Sequence, residues 1–198
     1  MKAALATVAT LAVCVALGAS LGGLSWYFWV IGLAGLVLGL ASGWTLAVLR
    51  AWLGVRRGAT LIATLSIVAG WATLQVFEDG HQRAAFRHAQ ARVNAASTGL
   101  SPVEVQRQLD AGNIEYWASD ADQVLERQVV ADVGFGGIAG RWVFRAQGGI
   151  RLAGSVTSSR GLPVGVPGAI LATMLELGLA IFIARRIVKR ADVSSSTP

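Results

Sequence analysis

The chain has one cysteine, Cys14, which excludes an intramolecular disulfide and any cysteine-rich metal site. It lies in an apolar run, the setting of a buried, inert thiol. Histidine is nearly as scarce, with only His81 and His88. Glu78-x-x-His81 matches half of a carboxylate-bridged metal motif, but that motif needs a second Glu-x-x-His and further carboxylates. No metal and no cofactor are therefore expected. The sequence also lacks a Walker A lysine, a Gly-x-Ser-x-Gly and a His-Glu-x-x-His. Ser155, Ser158 and Ser159 have no histidine nearby in sequence. These absences argue against an enzyme and leave no assignable small-molecule substrate.

Charge is the other scarcity. Only 14 % of residues are charged, against roughly 25 % in soluble domains, and residues 3–49 contain none. The pI of about 10.7 and net charge of +6 can signal nucleic acid. No RGG, RNP or zinc-finger pattern accompanies them, so nucleic acid is not an expected partner and the basic residues are read as setting membrane orientation.

What is present is apolar: 54 % of residues are hydrophobic, with a mean hydropathy of +0.57. One span needs about 20 residues, so residues 3–49 hold two, over 3–19 and 27–49, with a turn at 20–25. Trp26, Tyr27 and Trp29 follow the turn as an interfacial aromatic belt. A third span is predicted over 59–77. A fourth lies within 162–190, apolar over 167–187, with Pro167 in its first turn. Residues 78–161 form a polar insertion, and 191–198 read as a disordered tail. The expected architecture is an all-α integral membrane bundle of four helices, with a small mixed α/β extramembrane insertion before the last.

Lys2, then Arg50, Arg56 and Arg57, then Arg185, Arg186, Lys189 and Arg190 all fall on one side of this four-span arrangement. The positive-inside rule places that side, with both termini, in the cytoplasm. The membrane would be the plasma (inner) membrane if the source is bacterial, and 78–161 would lie outside. The nine arginines of that region do not oppose this, because long loops translocate largely regardless of charge. Residues 1–20 also resemble a signal peptide, with Lys2, an apolar stretch and the small residues Ala16, Gly18, Ala19 and Ser20; cleavage would leave three spans. A lipoprotein reading at Cys14 is weaker, because valine precedes it and the apolar span continues.

Within 78–161, nine arginines balance nine acids. Residues 79–96 read as an amphipathic helix extending the third span, with Phe86, Ala89, Val93 and Ala96 on one face and Arg83, Arg87, Gln90 and Asn94 on another. Ser101-Pro102-Val103-Glu104 starts a short helix that stops at Gly112. A further helix is expected over 119–130. The alternation in 141–146, the turn at 147–149 and its resumption at 150–152 predict a β-hairpin. Gly134-Phe135-Gly136-Gly137-Ile138-Ala139-Gly140 superficially fits the dinucleotide fingerprint, which must open a helix after a strand; a flexible or close-packed glycine loop is the better reading. The region is too small and apolar-poor to guarantee its own core, so it is expected to pack on the membrane face or on a partner through Phe86, Val93, Trp142 and Phe144.

Two features of the spans stand out. Gly32, Gly35, Gly39 and Gly43 punctuate the second, and the last three are spaced by four, a step of about 400° that stacks them as one smooth groove. Each glycine costs about 1 kcal/mol of helix propensity, and a membrane helix recovers this through close packing. The groove is expected to take the first or third span; a second copy, another subunit or a pore are the alternatives. Glu176 lies near the middle of the fourth span, where an ionised carboxylate costs several kcal/mol unless paired, protonated or hydrated. Pairing with Thr45, Thr64, Ser66 or Trp71 is the structural reading; a contact to a partner helix, or a proton or cation site, is the functional one. Gln75, Glu78 and Asp79 cluster at the end of the third span and read as a solvated helix end. Together these observations point to a non-enzymatic accessory, scaffold or assembly component, with the bilayer and a protein partner or second copy as its surroundings. A small transporter or channel subunit using Glu176 is the alternative.

Overall fold

The computed structural model describes residues 2–25, 27, 30, 32–54, 58–151 and 161–194. It is helical almost throughout: α1 (Lys2–Leu24), α2 (Leu33–Leu53), α3 (Ala59–Ser97), α4 (Pro102–Asp110), α5 (Ile114–Trp117), α6 (Ala121–Val133), α7 (Gly137–Gln147) and α8 (Gly165–Ser194). A two-residue antiparallel ladder pairs Ile150 with Leu162 and Arg151 with Gly161. Four helices, α1, α2, α3 and α8, are long and apolar enough to cross a membrane. The chain divides into two compact units, Met1–Glu78 with Gly149–Pro198, and Asp79–Gly148; α3 passes from the first into the second.

In the first unit the helices pack through small residues. A Cβ added at Gly35 would lie 2.6 Å from the carbonyl oxygen of Glu176, one at Gly39 2.6 Å from that of Ala180, and one at Gly43 3.0 Å from the Cα of Ala184. The glycine groove therefore takes α8, not the first or third span. The partner row, Glu176, Ala180 and Ala184, has the same four-residue step. Both rows ascend together, so α2 and α8 run parallel. Gly32 does not belong to the groove. It has φ +84° and open space around it, and it precedes the first residue of α2. A left-handed backbone is readily reached only by glycine, and it starts this helix later than position 27.

A second seam joins α1 to α3. A Cβ at Gly70 would lie 2.6 Å from the carbonyl oxygen of Cys14, one at Gly18 would collide with Gly70 itself, and one at Gly22 would lie 2.5 Å from the Cβ of Phe77. Ala6, Thr10, Cys14, Gly18 and Gly22 are all buried along α1 at steps of four. This packing carries α1 to Leu24, through most of the stretch expected to turn. The thiol of Cys14 is buried. Leu38, Leu46, Ile62, Ile67, Ala180, Ala184 and Val188 complete the core between the four long helices.

The second unit has its own small core of Ala91, Ala95, Val105, Leu109, Ala118 and Ala121. Alanine supplies four of these six residues, so the core draws on few large apolar side chains. The Ser101 hydroxyl accepts from the Glu104 N–H at 3.3 Å, starting α4 as its sequence requires. On α3 the buried face is not the predicted one: Ala91 and Ala95 are buried while Ala89, Val93 and Ala96 are exposed. Asn94 turns inward and donates to the Trp117 carbonyl at 2.7 Å, so a polar residue lies on the packed face.

The predicted hairpin is absent. The stretch from Gly137 to Gln147 is α7, and the insertion is helical rather than mixed α/β. A short alternating run fits either period; here Gly140 and Ala146 are buried on the helical face. Residue 152 of the expected second strand, and Ser155, Ser158 and Ser159, lie outside the described residues. So do Trp26, Trp29, Arg56, Arg57 and the last four residues of the tail, whose beginning is the end of α8.

Candidate functional site

Glu176 is held at the start of α2. The first N–H groups of any helix lack intrahelical partners, and α2 has no side-chain cap of its own because Gly32 occupies the N-cap. Oε1 of Glu176 accepts from the Gly35 N–H at 3.4 Å, and the N–H groups of Gly32 and Ala34 also face this carboxyl. The acid thus caps α2 from a neighbouring helix and meets the positive end of its macrodipole. None of Thr45, Thr64, Ser66 and Trp71 is the partner on which the structural reading relied. Thr64, for one, donates to the carbonyl of Thr60 in its own helix at 2.9 Å. The charge of Glu78, the last residue of the first unit in α3, acts unfavourably on that of Glu176. Gln75 is half-buried one turn before Glu78.

Several hydroxyls in the long helices are satisfied locally. The hydroxyls of Thr7, Thr10, Ser20, Ser42 and Thr73 donate to carbonyls three or four residues back in their own helices. The parallel register of α2 and α8 brings Arg50, in the last turn of α2, to the same end of the bundle as Arg185, Arg186, Lys189 and Arg190.

In the second unit the polar centre is an arginine between two acids. Arg141 donates from Nε and Nη2 to the two Asp79 oxygens at 2.7 and 3.0 Å, and from Nη1 to Glu126 at 2.7 Å. The Asp79 side chain is 2 % exposed and that of Arg141 15 %, so this pair is buried, and Asp79 does not belong to a solvated helix end. Arg83 adds a 3.4 Å contact to Asp79. The hydrogen bond to Asp79, with the charge of that carboxylate, holds the Arg141 guanidinium above its ordinary pKa against the opposing effect of burial. Glu126 also accepts from the Gly137 N–H at 2.5 Å, capping α7, which has glycine at its N-cap. The glycine-rich stretch does open a helix, but it follows the helix α6 rather than a strand, and a carboxylate occupies the anion position at its start. Elsewhere Arg87 forms a two-point ion pair with Asp122.

A cleft of about 280 Å³ lies beside the Arg141 network, lined by Gln82, Phe86, Leu125, Arg141, Phe144 and Arg145 with Gly148. It brings Phe86 and Phe144 together. Trp142 is half-buried and outside the lining, and Val93 is 63 % exposed. His81 and His88 converge with no cluster of acids: among the described residues no group of three potential metal ligands occurs. Sequence reasoning missed Asp79, Glu126, Arg141, Gly18, Gly22 and Gly70. The α1 glycines had a signal in their four-residue step from Cys14; the buried ion pair had none, because its members lie 62 positions apart.

No protein family matches the chain, and neither a characterised protein nor a solved structure is significantly similar to it.

Proposed function

We propose that the chain is a four-span integral membrane protein without enzymatic activity, an accessory or assembly component whose extramembrane helical unit, residues 79–148, docks a protein partner. In this reading the basic ends of α2 and α8 face the cytoplasm. The observation that carries it is the placement of Glu176. The one acid inside the apolar spans caps α2, a structural role that its bond from the Gly35 N–H fills. The second unit instead offers exposed apolar side chains, Val93 foremost, and the Phe86–Phe144 cleft. Purification of the tagged full chain in mild detergent from its native membrane, with the mass of the complex, tests this. A stoichiometric partner lost on Val93→Asp supports it. A homogeneous particle of this chain alone removes the partner.

The alternative is a small transporter or channel subunit. The unfavourable charge interaction between Glu78 and Glu176 favours it, because proton-coupled sites in membranes use more than one ionisable group. Loss of flux in Glu176→Gln with normal accumulation of the protein selects this reading.

A further inference from the structure

The face of α8 turned away from α2 has a different chemistry from the packed one. A side chain at Gly178 would meet nothing within 4 Å, whereas Ala180 and Ala184 are sealed against α2. Gly178, Ile181, Phe182, Arg185, Arg186 and Lys189 recur at steps of three and four, so they share one face. Together they line an open groove of about 540 Å³. Its character changes along the helix axis. The first part is a notch at Gly178 walled by Ile181 and Phe182; the second is three cations within little more than one turn. All three cations are exposed, and none has an ion-pair partner among the described residues.

This order of groups selects an amphiphile. Three adjacent cations at the end of an apolar helix lie at headgroup level, where long basic side chains keep their charge in water. The notch lies deeper, at the level of acyl chains. Basic pockets at the cytoplasmic ends of membrane helices hold anionic headgroups. A soluble anion would use the cations and leave the notch empty. We propose that this groove binds one anionic phospholipid, its phosphate on Arg185, Arg186 and Lys189 and an acyl chain against Gly178, Ile181 and Phe182. The inference rests on the membrane-spanning part of the functional reading alone and needs no protein partner.

The test uses the full chain in mild detergent, titrated with phosphatidylglycerol or phosphatidylcholine and read by native mass spectrometry. Wild type is expected to retain one phosphatidylglycerol saturably and to discriminate against phosphatidylcholine. Replacing Arg185, Arg186 and Lys189 by Gln lowers that discrimination by roughly a hundredfold, from about 1 kcal/mol per basic residue. Gly178→Leu keeps every charge, fills the notch and is expected to lose the retained lipid. Equal retention of the two lipids by wild type overturns the proposal without recourse to any variant. So does undiminished retention by Gly178→Leu, which would mean diffuse surface charge, or displacement of the lipid by inorganic phosphate at equal concentration, which would mean a free-anion site. Carbonate extraction of wild-type membranes separates the two premises: protein that stays in the pellet yet retains both lipids alike loses the groove only, and protein that is extracted loses the membrane reading as well.

Discussion

Oε1 of Glu176 on α8 accepts a 3.4 Å hydrogen bond from the backbone N–H of Gly35 in the first turn of α2. The same contact sets the register of the seam that follows, Gly39 on Ala180 and Gly43 on Ala184. Glu126 repeats the device at the start of α7, where Gly136 offers no cap and the Gly137 N–H is taken by a carboxylate from α6. In both places a glycine gives the backbone its turn, and an acid from another helix supplies the missing acceptor.

If Glu176 acts as a cap, an acceptor matters more than a charge. Glu176→Gln is expected to leave stability within about 0.5 kcal/mol, while Glu176→Ala, which strands the Ala34 and Gly35 N–H groups, loses about 1 kcal/mol, the usual value of a cap. Thermal unfolding in detergent reads the difference. Equal stability of Ala and wild type would remove the capping role.

The glycine seam is tested at Gly39. A leucine there must displace α8 backbone, since even its Cβ would lie 2.6 Å from the Ala180 oxygen and 2.8 Å from its Cα. Overpacking of this kind costs about 1–3 kcal/mol, and α2 and α8 should separate before the rest of the bundle. Gly23, with nothing within 4 Å, is the control: Gly23→Ala should be neutral or stabilising by up to about 1 kcal/mol from helix propensity. Unfolding midpoints of the two variants that coincide would mean the seam does not hold the helices.

The four long helices were legible because apolar runs of that length have few other uses. The groove was legible too, because a four-residue step is a property of one helix. Its occupant was not: a smooth row of glycines states that something comes close, without saying what. The answering row, Glu176, Ala180 and Ala184, was present in the sequence, but the carboxylate drew attention to chemistry and away from spacing. On α1 the row from Ala6 to Gly22 was obscured by its mixed letters, with Thr10 and Cys14 serving as small residues. The stretch Arg141-Trp142-Val143-Phe144-Arg145 illustrates the opposite failure. Its alternation is genuine, yet Arg141 and Arg145 are also one helical turn apart, and the buried Asp79 that engages Arg141 decides between the two periods only in three dimensions.

Acid should act weakly on the Arg87–Asp122 pair. The hydrogen bond from Arg87 holds the Asp122 carboxyl below the usual carboxylate range. A carboxyl with a lowered folded pKa contributes stability above its unfolded value of about 3.9, and the contribution is lost as pH falls through the folded one. Both side chains are nearly half exposed, so solvent screening limits the pair to about 0–1 kcal/mol. Asp122→Asn should therefore lower stability slightly at pH 7 and converge with wild type at the acid end of a pH series. A difference that persists unchanged at low pH would assign the effect to packing rather than to charge.

Asp79 and Arg141 carry the larger stake, because burial removes the screening that weakens the exposed pair. Arg141→Met leaves Asp79, at 2 % exposure, with only the 3.4 Å contact to the more exposed Arg83, a loss of up to about 3–5 kcal/mol, and it also strips Glu126 of one partner. Asp79→Asn alone removes the opposite charge but keeps an acceptor for the guanidinium, so it should cost less. The double variant Asp79→Leu with Arg141→Met removes both charges together and should recover much of what the single Arg141 change loses, since a buried ion pair is often no more stable than apolar groups of similar size. The interaction energy from that cycle, measured by chemical unfolding of the full chain, is expected to exceed the roughly 0.5 kcal/mol of independent sites. Additive losses would mean that Arg141 holds α7 through its contact with Glu126, and that the buried acid on α3 is stabilised by other groups.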